Sequence, residues 1–226
     1  LPQTIQHYLL EKGYIFENGV ARAQNIPGAF ETIYSDVNSS GKIVGWSSPG
    51  NGNLITYDRG KWEDLTSLIP NPSDFNRSRG AQYQINDNGV IAYNDFQLIP
   101  DGKGGYISKL LPARSDGVRF GHYRLNNLNQ MVGHIVTPVT GATRGTFYDG
   151  ENSYFLDEVC AELPVGNGFK TYGLDINDNG WILGAYVTPD NIHHGFVMQP
   201  VPEPGTLLLM GGGIGLMARR RRKRDI

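Results

Sequence analysis

The chain has 226 residues, with 20 Lys and Arg against 22 Asp and Glu and a formal net charge of -2 at pH 7. Its 30 Gly and 13 Pro follow no collagen-like period, and an aromatic content of 11% is too high for a disordered, solvating chain. Cys160 is the sole cysteine, which excludes an internal disulfide framework and a Cys-cluster zinc site. The near balance of charge hides an asymmetry. Residues 201–226 carry six basic and two acidic side chains, which leaves 14 basic against 20 acidic in the body, a net charge of -6. Nucleic-acid binding needs clustered Lys and Arg facing phosphates, so an acidic body argues against such a partner.

From the N-terminus, Leu1 is not an initiator Met, and Leu1–Gln6 lack the basic-then-apolar pattern of a signal peptide. An N-terminus that has been truncated or processed is therefore expected. Tyr14-Ile15-Phe16-Glu17-Asn18-Gly19 reads as a hairpin. Four related segments follow: Val37-Asn38-Ser39-Ser40-Gly41-Lys42-Ile43-Val44-Gly45-Trp46, Ile85-Asn86-Asp87-Asn88-Gly89-Val90-Ile91-Ala92-Tyr93, Leu125-Asn126-Asn127-Leu128-Asn129-Gln130-Met131-Val132-Gly133-His134 and Ile176-Asn177-Asp178-Asn179-Gly180-Trp181-Ile182-Leu183-Gly184-Ala185-Tyr186. The Asn anchors lie at 38, 86, 126 and 177, a spacing of 48, 40 and 51 residues. A period of that size marks a repeat architecture. In each copy Asn and Gly suit a tight turn with left-handed backbone, and a short β-rich run follows. Asn129 stands where the other copies have Gly, and Asn is the next-best residue for positive φ. Second hairpins come at Ile55–Gly60, Phe96–Gly102 and Thr146–Gly150, and Gly195–Met198 reads as the start of another. Two hairpins per period predict about four strands per unit, the size of a propeller blade.

The pattern Ile-Asn-x-x-Gly, a hydrophobic pair and Gly, then His-x-Phe and aromatic-x-x-Gly, resembles the HAF-type extracellular repeat over roughly residues 14–198. His194-Gly195-Phe196 stands where that family has His-Ala-Phe, and Arg144-Gly145-Thr146-Phe147 is a looser match. The resemblance implies an all-β, propeller-like repeat domain over residues 1–200 with no known catalytic residues. Its units fall near 36–65, 84–110, 124–156 and 175–198, giving four or five blades with an incomplete ring as an alternative.

Several residue patterns in the body approach known chemistry. Asp175-Ile176-Asn177-Asp178-Asn179-Gly180 matches the first half of an EF-hand loop, but the twelfth position is Tyr186 where a bidentate Glu is required. A structural turn is the expectation. The histidines His7, His122, His134, His193 and His194 show no metal-ligand spacing, and adjacent strand residues point to opposite faces. Gly45-Trp46-Ser47-Ser48-Pro49 approaches a nucleophile elbow but ends in Pro and precedes no helical pattern. Cys160 has no nearby His in sequence, and the acidic residues single out no carboxylate pair. No cofactor, no metal and no catalytic residue is assigned. Trp46, Trp62, Tyr93 and Trp181 are the candidates for a ligand-facing aromatic surface.

The C-terminus has three parts in order: Val201-Pro202-Glu203-Pro204-Gly205, an uncharged run over residues 206–218, and Arg219-Arg220-Arg221-Arg222-Lys223-Arg224. The prolines end any strand. A 13-residue helix is about 20 Å long, short for a membrane span of about 20 residues. The basic run would stay cytoplasmic, placing the body across the membrane. This tail resembles the PEP-CTERM sorting signal of Gram-negative bacteria, also catalogued as an ice-binding-protein C-terminal domain. The resemblance implies a transmembrane segment at 206–218 that anchors the chain transiently in the inner membrane. It also implies recognition and removal by an exosortase, a membrane protease-transpeptidase, with delivery to the cell surface or extracellular matrix. The expected function is that of an exported, non-enzymatic binding or structural protein whose partners include exopolysaccharide or another surface polymer. The alternatives are a secreted hydrolase on a propeller scaffold and a permanently membrane-anchored scaffold.

Overall fold

The structure is a computed structural model that describes residues 13–29, 31–48, 53–69, 83–113, 117–118, 121, 123–138 and 140–200. The described chain is all-β, with helix confined to a 3-10 turn at Thr66–Leu68 and one turn of α-helix, α1, at Leu156–Val159. A first hairpin joins β1 (Tyr14–Glu17) and β2 (Val20–Ala23). Four antiparallel meanders follow. The first contains β3 (Thr32–Val37), β4 (Ile43–Ser47), β5 (Asn53–Asp58) and β6 (Lys61–Asp64). The second contains β7 (Gln84–Ile85), β8 (Ile91–Tyr93), β9 (Phe96–Pro100) and β10 (Tyr106–Leu110). The third contains β11 (Arg124–Leu125), β12 (Met131–Val136), β13 (Thr143–Tyr148) and β14 (Ser153–Phe155). The fourth has three strands, β15 (Lys170–Ile176), β16 (Ile182–Val187) and β17 (His193–Met198).

The repeated Asn-Gly segments form the turn between the first and second strand of each sheet. Their Gly residues take positive φ at Gly41 (82°), Gly89 (77°) and Gly180 (74°), and Asn129 does so in the third copy at 61°. The side-chain amide tolerates that region where most residues do not.

One packing contact recurs between successive sheets. The second-strand residues Val44, Ala92 and Val132 are 0, 1 and 0% exposed. Val44 lies in one cluster with Ile85 and Ile91 of the next sheet. Ala92 meets Met131 and Leu125, and Val132 meets Ile176 and Ile182. Burying a Val or Ile completely contributes about 1.5–3 kcal/mol, so each junction rests on apolar burial. The backbones come close at Gly173, where an added Cβ would lie 3.0 Å from both N and O of Gly133.

The closed propeller expected from the period is not formed among the described residues. No substantial packing joins the fourth sheet to the first, the fourth has three strands, and the β1–β2 hairpin pairs only with itself. Among the described residues, no sheet bridges the two ends of the row. The predicted transmembrane helix at 206–218 lies outside the described residues. Among those described, no helix is long and apolar enough to cross a membrane.

Candidate functional site

The four turns do more than reverse the chain. In each, the Asn Oδ1 accepts the backbone N–H four residues on, at 3.0 Å from Lys42, 2.9 Å from Val90, 2.9 Å from Gln130 and 3.0 Å from Trp181. The other half of the amide reaches out to the next sheet. Nδ2 of Asn38 donates to the Asn86 carbonyl at 3.2 Å, that of Asn86 to the Asn126 carbonyl at 3.0 Å, and that of Asn126 to the Asn177 carbonyl at 2.9 Å. These links form a ladder with one direction.

A second row runs beside it. Backbone N–H groups of Ser39, Asp87 and Asn127 donate to Oδ1 of Asp87, Asn127 and Asp178, each at 2.8 Å. Nδ2 of Asn127 bridges the flanking carboxylates, at 3.1 Å from Asp87 and 2.9 Å from Asp178. The hydrogen bond from the Ser39 backbone, with help from the Ser39 and Asn127 side chains, holds the Asp87 carboxyl below the usual carboxylate range. This edge is an exposed row of amides and carboxylates that engage one another.

Behind the turns runs an aromatic series. Ring centroids lie 6.4 Å apart for Tyr93 and Tyr123, 5.2 Å for Tyr123 and His134, and 4.9 Å for His134 and Tyr172. Burial lowers the His134 pKa from its ordinary 6.5, and its Nδ1 has no hydrogen-bond partner among the described residues. The depressed value means that His134 is neutral in the folded chain where an unfolded histidine would already bind a proton. Stability is then full above the unfolded pKa near 6.5 and falls as pH drops from there towards the lower folded pKa. The expected result is an unfolding free energy that declines on acidification below about 6.5, with a shallower decline in His134→Gln. Chemical denaturation across a pH series checks it.

The four candidate aromatics do not form one surface. Trp46 and Tyr93 are 5 and 8% exposed and belong to the core between the first and second sheets. Both sit on second strands at positions that the neighbouring sheet covers, which corrects the expectation that they face a ligand. Trp62 is half-buried, 4.5 Å from the Tyr57 ring and 6.0 Å from that of Tyr34. Trp181 is exposed on the turn into β16.

In the candidate EF-hand loop, Asp175 Oδ1 accepts its neighbour's Ile176 N–H, Asn177 Oδ1 closes the turn, and Asp178 takes the ladder contacts from Asn127. The oxygens diverge into separate local bonds. Among the described residues no group of three or more His, Cys, Asp and Glu is placed to hold a metal ion. His194 stacks on Tyr186 at 4.7 Å, while His7 and His122 lie outside the described residues. Gly45, Trp46 and Ser47 are inside strand β4, and Ser48 Oγ accepts the Glu31 N–H. Cys160 follows α1 as its C-terminal cap.

The ladder was missed as a set because each Asn satisfies the requirements of a turn by itself. The signal was present: the same residue type at one position of every copy, followed by Asp or Asn in three of four. The sorting residues Val201, Pro202, Glu203 and Pro204 and the Arg219–Arg224 cluster lie outside the described residues, beginning three residues after β17 ends at Met198.

Comparison with known proteins locates one family signal. Residues 200–223 match the PEP-CTERM protein-sorting motif, which marks a chain for export, cell-surface sorting and processing by an exosortase-type enzyme. The match supports neither an HAF-type body nor an ice-binding role for the tail. No curated protein matches the chain.

Proposed function

We propose that this chain is an exported protein of a Gram-negative bacterial surface or extracellular matrix, with a non-enzymatic β-repeat body released from a transient inner-membrane anchor. The observation that carries the reading is the sorting motif at residues 200–223, placed directly behind the last strand, which ends at Met198. Scission near Val201–Gly205 would remove the apolar run and basic cluster without opening a sheet. The apolar run at 206–218 is short for permanent residence, and six cationic side chains at 219–224 are costly to move across a bilayer. Together they suit a segment that stops during export and is then cut. The body's part is structural or polymer-binding: its polar edge joins sheets through amides and carboxylates already bonded to one another. Exopolysaccharide or another surface polymer is the partner class this exported position offers.

In a host with a matching exosortase, intact mass spectrometry of the surface protein is expected to show a mature form lacking residues 219–224. Glu203→Ala is expected to leave the uncut chain in the membrane fraction, because the carboxylate between two prolines is the charged recognition feature of the motif. A mature species still ending at Ile226 would overturn processing and leave a permanent anchor.

A further inference from the structure

The row of sheets has two unlike ends, and each presents what the other lacks. At the fourth sheet the ladder stops with a donor. Asn177 is exposed and its Nδ2 has no hydrogen-bond partner among the described residues, whereas Asn38, Asn86 and Asn126 are 9, 5 and 4% exposed. Leu183, which matches the fully covered Val44, Ala92 and Val132 in the repeat, is 48% exposed, and its β17 pairing partner Val197 is 59% exposed. At the first sheet the ladder begins with an acceptor. The Asn38 carbonyl takes the Gly41 N–H, as the Asn86 carbonyl takes that of Gly89, but only Asn86 receives a second donor from the preceding turn. Val37, which matches Ile85, Leu125 and Ile176, is 58% exposed, although those three lie at the junctions with a preceding sheet.

We infer that the fourth sheet of one copy docks on the first sheet of a second copy, repeating the internal junction between molecules. Leu183 then packs against Val37 as Val132 packs against Ile176. Asn177 Nδ2 donates to the partner's Asn38 carbonyl, and the Asp178 N–H meets the partner's Ser39 hydroxyl. The occupant is a second copy because the complement of each end, in hydrogen-bond polarity and in apolar position, is carried by the opposite end of this same chain. Such a head-to-tail contact is heterologous, so it closes into a ring or continues as an open array according to the angle between copies. The association rests on the body and is independent of tail processing.

The test uses the full chain in detergent, with protein mass read by light scattering after the detergent contribution is removed. The tail is common to all samples, so only body-dependent association changes among them. Wild-type mass is expected to rise with concentration from monomer to dimer or beyond. Leu183→Asp and Val37→Asp, both at exposed positions, are each expected to abolish that rise. Mixed in equal amounts they should regain a one-to-one heterodimer and nothing larger, since each retains the end that the other has lost. This complementation also shows that both variants are folded. A wild-type chain that stays monomeric at every concentration overturns the inference. So does association that both aspartates leave intact.

Discussion

Asn126→Ala is expected to lower the unfolding free energy of the body by about 3 kcal/mol, while Asn177→Ala lowers it by about 1 kcal/mol. The two residues share a turn geometry and differ in what lies beyond it. Asn126 is buried, and its side chain makes bonds to the Asn177 carbonyl, the Gln130 side chain and the backbone N–H groups of Leu128 and Gln130. Alanine removes a link between the third and fourth sheets and leaves polar groups at a covered junction without their partner. Each neutral hydrogen bond contributes about 0.5–1.5 kcal/mol net, and an orphaned buried group costs about 1–3. Asn177 closes only its own turn, with bonds to Asn179 and Trp181 at an exposed site where water replaces them. Urea unfolding of residues 1–200 in the three forms measures the difference. Equal losses for the two variants would mean that the ladder adds nothing to the turns.

Gly45→Ala is expected to cost about 3 kcal/mol or to prevent folding, at the upper end of overpacking penalties. A Cβ at Gly45 would lie 2.2 Å from the Ile33 carbonyl oxygen and 3.1 Å from the Tyr34 Cα. Both are backbone atoms of β3, held by the pairing of Tyr34 with Gly45 beside the bulge between Tyr34 and Asp36. The strand cannot retreat without breaking the ladder of backbone bonds. The control is Gly195→Ala in β17, where the added Cβ meets nothing within 4 Å. There the loss of unfolded-state freedom stabilises the chain by about 0.4–1 kcal/mol. Opposite signs in the two midpoints would show that close backbone approach, and not glycine content, decides the outcome.

Much of the body was legible from residue order. The Asn-Gly segments mark their turns because few residues accept the required backbone, and the alternation of apolar residues after them marks strands. Local chemistry is sufficient at both places. The fate of the aromatics was not legible. Trp46 lies within β4 and is covered by the next sheet, Trp181 lies on the turn before β16 and is half-exposed, and even Leu183, at the repeat position of the fully covered Val132, is 48% exposed. Burial there depends on whether a following sheet exists, which no local pattern encodes. Ring closure was misread for the same reason: a period of 40–51 residues specifies the unit but not the number needed to bring the ends together.

The sequence by itself determined the all-β repeat, the positions of its turns, and the sorting tail, whose proline, apolar and basic parts act through composition and order. Only the tertiary structure decided that the turn asparagines link sheets, that the linkage has a direction, and that it ends in exposed Asn177 and Leu183 at one side and exposed Val37 at the other. Those properties come from contacts between residues 40–51 positions apart. Each such contact exists only once two sheets are side by side, with the buried amide bonded across the junction and the apolar side chains beneath it removed from water.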